Sequence, residues 1–172
     1  GLAYGRPLRR ALRRGDPVAA IGDAFPPTIP LHRVGRWRQG VGARAAARLP
    51  AFLQVLRAQA ERRIAPLRHI PGIKVFEPAP GTEGSWPLLL LQMAEAARCE
   101  AVLGELWTAG LGVWRLFVHA LPDYAYLADR VPRTPMPNAG DFAAGTLSIG
   151  NSPLLDDVAI ERVRAVLDHA TI

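Results

Sequence analysis

Histidines, one cysteine, serines, a pair of adjacent aspartates and a single lysine are the groups in this chain that carry catalysis or bind metals elsewhere, and their spacing limits what they do here. His32, His69, His119 and His169 are far apart, and none has a histidine four residues away or lies in an H-E-x-x-H motif. No metal site is therefore expected. His119 differs from the others in following an expected strand beside a loop rich in Pro and Tyr, which makes it a candidate substrate-binding residue. Asp156-Asp157 reads as the start of a helix, where carboxylates meet the positive end of the dipole, rather than as an acid–base pair. Gly110-Leu111-Gly112 lacks the third glycine and the preceding strand of a dinucleotide loop. Ser148 and Ser152 have no G-x-S-x-G context, and Cys99 falls in an expected helix with no base nearby in sequence. Lys74 lies within Ile-Lys-Val-Phe, where alternation makes it the solvent-facing member of a half-buried strand. A Schiff-base lysine needs a pocket, so the sequence assigns no catalytic residue in this chain.

The elements that would position these groups follow from composition and period. Of 172 residues, 49% are apolar and 21% charged, enough for a real core and unlike a disordered chain. The lone Cys99 excludes an internal disulfide framework and fits a reducing, cytoplasmic setting. The longest apolar stretch, 101–121, carries Glu105 and Arg115 and is broken by Gly110 and Gly112, so it reads as helix then strand and not as a membrane span. The opening Gly1-Leu2-Ala3-Tyr4-Gly5-Arg6 has neither an initiator Met nor the apolar core of a signal peptide, which leads us to expect further chain upstream.

Charge is unevenly divided. Residues 1–70 hold fourteen Arg against Asp16, Asp23 and Glu61, whereas residues 71–172 hold seven cations against twelve carboxylates. A basic half points to a polyanion, a phosphate-bearing ligand or an acidic protein surface. Trp37 between Arg36 and Arg38 would allow stacking, but no nucleic-acid fold signature accompanies it, so nucleic acid is not the expected partner.

Residues 6–14 read as a short basic helix and 24–31, with three prolines, as an extended linker. From 36 to 68 the pattern is helical: Val41, Ala45, Leu49, Phe52, Leu56, Ala60, Ile64 and Leu67 recur at steps of three and four, with most Arg off this stripe. Pro50 predicts a kink or two abutting helices, and Pro66 an end or bend. Strands are expected at 73–76, 86–93, 113–118 and 147–149. Helices are expected at 94–108, closed by Gly110, at 141–144 and at 156–169. This order predicts an α/β fold in which a short antiparallel sheet is covered by helices.

Three stretches in this order resemble the C-terminal portion of DegT/StrS-type nucleotide-sugar aminotransferases, fold-type-I enzymes that use pyridoxal 5'-phosphate (PLP). Residues 36–49, from Arg36-Trp37-Arg38 to Arg48-Leu49, resemble the arginine-led segment that opens the family's linking helix. Ala109-Gly110-Leu111-Gly112-Val113 resembles its small-domain turn. Ser148-Ile149, Pro153, Asp157, Ile160, Glu161, Arg162 and Val163 resemble its closing segment. Three places depart from the family: His32-Arg33-Val34-Gly35-Arg36 keeps only the arginine of "G-Y-N-Y-R", Leu116-Phe117 stands for His-Tyr, and Gly150 for a proline.

The resemblance implies the small C-terminal domain of a fold-type-I PLP-dependent transferase. Residues 1–35 would be the tail of a large domain and a linker, 36–70 the long linking helix, and 71–172 the small α/β domain. It also implies a homodimer, a nucleotide-sugar substrate and an amino-acid donor, with the Schiff-base lysine outside this chain. Arg36 is the expected cofactor-binding residue, and Arg33, Trp37 and His119 the expected substrate-binding residues. Two alternatives stay open: a non-catalytic module whose basic helix binds polyanions or a protein, and a PLP-dependent sugar dehydratase of related fold.

Overall fold

The computed structural model describes Leu31 and residues 33–170, so the expected basic helix at 6–14, most of the 24–31 linker and His32 lie outside the described residues. A long helix, α1 (Arg36–Leu67), leads into a sheet of β1 (Ile73–Val75), β2 (Leu88–Met93), β3 (Val113–Trp114) and β4 (Thr146–Gly150). Three more helices complete it: α2 (Ala96–Leu106), α3 (Pro137–Gly145) and α4 (Asp157–His169). The sheet order is β1-β2-β4-β3 and every pairing is antiparallel, with Ile73 opposite Met93, Leu91 opposite Leu147, and Val113 opposite Ile149. This is the α/β class read from the sequence.

Period-2 alternation sends Leu89, Leu91, Met93, Leu147 and Ile149 into the core, while Leu88, Leu90 and Gln92 between them stay half-buried. Three helices cover the core side: Ala60, Ile64 and Leu67 of α1, Val102, Leu103 and Leu106 of α2, and Ile160, Val163 and Leu167 of α4. At the start of α4, Asp156 accepts a hydrogen bond from the Ala159 N–H at 2.8 Å and so caps the helix, with Asp157 in its first turn.

Four expectations need correction. Pro50 does not divide the segment into two helices: α1 runs on through it and ends at Leu67, one residue after Pro66, the end that Pro66 leads one to expect. Pro50 removes only its own donor, and residues 46–50 are all exposed, so water satisfies the carbonyl that loses its partner. The third strand stops at Trp114 instead of 118, because Arg115 is drawn to Glu100 at 2.6 Å and Phe117 stacks on Phe142. Gly110 does not cap α2, which ends at Leu106; its φ of 73° serves the following turn. The helix expected at 141–144 begins earlier, with Pro137 in its first turn, where a missing N–H costs nothing.

Gly145 marks a tight junction against backbone. A Cβ there would stand 2.9 Å from the Met93 carbonyl oxygen, backbone that has no room to give. Gly145→Ala is therefore expected to destabilise the fold by about 1–3 kcal/mol, read as a lower urea midpoint at unchanged slope.

Candidate functional site

Two places in the fold expose groups suited to a ligand, and the sequence-predicted residues divide between them. Arg33, Arg36 and Trp37 gather at the first turn of α1, all exposed, with Trp37 79% exposed. No side chain caps this helix and no acid sits in its first turn. Gln39 N–H donates to the Gly35 carbonyl at 3.0 Å, and helix-opening N–H groups ahead of such a bond commonly lack an intrahelical acceptor. Two guanidiniums thus stand at the positive end of the helix dipole, an arrangement that repels itself and favours an anion.

His119 belongs to the second place, the 115–136 loop that joins β3 to α3. It is half-buried, with its ring 5.2 Å from that of Tyr124 and nearly perpendicular to it. The loop and α3 enclose an apolar cleft of about 560 Å³ walled by Phe117, His119, Tyr124, Asn138 and Phe142. Phe142 holds Phe117 at 5.3 Å and Phe76 at 5.6 Å, a chain of rings from β1 to the loop. Between Arg36 and Val55 only Leu53 is even half-buried, so the start of α1 stands about 30 Å along the helix from its first buried residue, Leu56.

A third feature went unread in the sequence. Asn151, just beyond β4, is 1% exposed and joins α1 to the sheet. Its Nδ2 donates to the Leu56 and Trp86 carbonyls at 2.8 and 2.9 Å, and its Oδ1 accepts from Gln59 Nε2 and Arg63 Nη1, each at 3.1 Å. Arg63 also donates to the Leu155 carbonyl, and burial pulls its pKa below the usual arginine value. Trp86, whose carbonyl Asn151 holds, has a left-handed φ of 53°. The one available signal was that Gln59 and Arg63 lie on the helix face of Leu56, Ala60 and Ile64, where polar residues need partners.

With this geometry in view, solved structures supply a comparison. The aminotransferase TlmJ from Streptoalloteichus hindustanus matches 92% of this chain with a TM-score of 0.65 at 22% identity. DesV from S. venezuelae, solved with a ketimine intermediate, matches 96% with a TM-score of 0.70 at 20% identity. The chain has part of an aminotransferase fold. It spans 44% of the length of each of these two proteins. An E. coli GDP-4-keto-6-deoxy-D-mannose-3-dehydratase with bound hydrated PLP also matches, over 83% of this chain and 38% of its own, with a TM-score of 0.63 at 21% identity. No family model and no curated protein matches the sequence.

Among the described residues no lysine is placed to hold PLP as a Schiff base. The chain's single lysine, Lys74, is exposed on β1 with Nζ 4.9 Å from the centre of the Phe76 ring. Cys99 is fully buried and its thiol is pushed up by that burial, the state of an inert cysteine. Ser148 is also fully buried, and among the described residues its hydroxyl has no hydrogen-bond partner. Among the described residues no group of His, Cys, Asp and Glu could hold a metal, and no helix is long and apolar enough to cross a membrane.

Proposed function

We propose that this chain is the small domain and linking helix of a PLP-dependent enzyme that transfers an amino group to a nucleotide-linked keto sugar. In this reading residues 1–35 end a large cofactor-holding domain, 36–70 form the link, and 71–172 form the small domain. The complete protein is a cytoplasmic homodimer that takes its amino group from an amino acid and its Schiff-base lysine from outside this chain.

One observation carries the proposal: a single apolar stripe on α1 is covered along one half and bare along the other. Leu56, Ala60, Ile64 and Leu67 are buried, whereas Val41, Leu49 and Phe52 on the same stripe are 49%, 48% and 46% exposed. A helix keeps such a stripe where something covers it, and fully burying each large side chain is worth about 1.5–3 kcal/mol. In this reading a large domain covers the first half of α1.

The exposed basic turn at Arg36 then meets a phosphate of cofactor or substrate, with Arg33 and Trp37 beside it. Replacing Arg36 by Ala in the complete protein is expected to weaken PLP or sugar-nucleotide binding about tenfold or more, the loss of a charge-assisted hydrogen bond. Fluorescence titration with PLP and a KM for the sugar nucleotide measure it; both unchanged would remove Arg36 from the site.

A dehydratase outcome shares the same support, since the E. coli dehydratase matches this fold as well. The residue at the Schiff-base position upstream separates the two readings: a lysine there supports transamination.

A further inference from the structure

We infer that the aromatic cleft beneath the 115–136 loop is a subsite for the flat base of the nucleotide, an inference that rests on the nucleotide-sugar reading above. Three observations point there. The walls are rings set at different tilts, Phe117 against Phe142 at 52° and His119 against Tyr124 at 79°, so an entering flat ring finds both a face and an edge to pack on. About 560 Å³ is ample for a base and its ribose.

The cleft also carries one polar group of the right kind. Asn138, exposed in the first turn of α3, has no hydrogen-bond partner among the described residues. Its carboxamide presents a donor beside an acceptor, the pattern that the amide-like edges of bases complement. A saturated apolar ligand would leave that group unused.

Third, the adjoining cleft of about 440 Å³ on the other side of Tyr124 is lined by both Arg133 and Asp123. It offers no surplus of positive charge to a diphosphate. Recognition at this end of the protein therefore falls to the ring and not to the phosphates, and should depend little on salt.

The test uses the complete protein, titrated calorimetrically with uridine, thymidine and guanosine 5′-diphosphates and with inorganic pyrophosphate. At least one nucleoside diphosphate should bind more tightly than pyrophosphate. Asn138→Ala and Tyr124→Ala should each weaken that nucleotide about tenfold, the loss of one hydrogen bond or one stacking face, and leave pyrophosphate unchanged. The KM for the sugar nucleotide should rise with kcat nearly constant.

Nucleotide affinity indifferent to both substitutions, or no preference for nucleotide over pyrophosphate, overturns the subsite; this is the result expected if another part of the protein fills the cleft. Should Tyr124→Ala fail to fold, Asn138→Ala, at an exposed position, decides alone. PLP retention, read from the visible absorbance, is scored separately. A protein that binds no PLP yet binds nucleotides through Asn138 loses the enzyme reading and keeps the subsite.

Discussion

Replacing Asn151 by Ala is expected to cost the fold about 3–4 kcal/mol, a large share of what a domain of this size has to lose. The side chain is buried and makes four hydrogen bonds, two as donor and two as acceptor. Alanine leaves the Trp86 carbonyl without its donor, takes an acceptor from the buried Arg63 guanidinium, and frees a left-handed Trp86 that the bond helps to hold. Gln59 and Arg63 keep bonds to the Ser152 carbonyl, and Arg63 keeps Leu155, which limits the loss. Urea unfolding of the chain measures it.

Asn151→Asp distinguishes the hydrogen-bond argument from a purely ionic one. A carboxylate would pair with Arg63, yet would set an oxygen against the Leu56 and Trp86 carbonyls where Nδ2 now donates. Stability should fall for Asp as it does for Ala. A wild-type midpoint in the Asp variant would mean that charge on Arg63, and not the amide, ties the helix to the sheet.

What was readable in the sequence follows from what periodicity reports. Steps of three and four on α1 and alternation in 73–75 name the face that turns inward, because burial acts on each residue through its own element. Lys74 was placed in solvent on that ground, and it is exposed. The Asp156 cap was readable because its partner, Ala159, is three residues away. Asn151 was not, since its partners Gln59 and Arg63 lie about ninety residues upstream, and their place on the apolar face of α1 shows only that they need partners, not which. Residues 116–118, Leu-Phe-Val, have the composition of a strand and leave the sheet because of Phe142, a residue whose position only the fold supplies. For the candidate site the limit is sharper. The sequence located the basic turn at Arg36 and singled out His119, but it could not show that His119 walls an aromatic cleft.

Two aspartates placed on the bare half of the stripe, Leu49→Asp with Phe52→Asp, should separate the chain's own stability from that of the complete protein. Neither residue belongs to the core cluster, and both are nearly half exposed. In the 172-residue chain the pair is expected to cost about 1 kcal/mol in all, mainly the poorer helix propensity of Asp. In the complete protein the same substitutions put two carboxylates against whatever covers the stripe. An unpaired buried charge costs several kcal/mol, so we expect loss of the native assembly, or about a hundredfold or greater loss of PLP retention. Leu56→Asp, one step further along and 4% exposed, should instead unfold chain and complete protein alike. Sedimentation, visible absorbance and urea midpoints on the same variants read all three outcomes. A complete protein that carries both aspartates on the bare half and still assembles and holds PLP would show that this half faces water there too. The half-covered stripe would then no longer argue for a large domain.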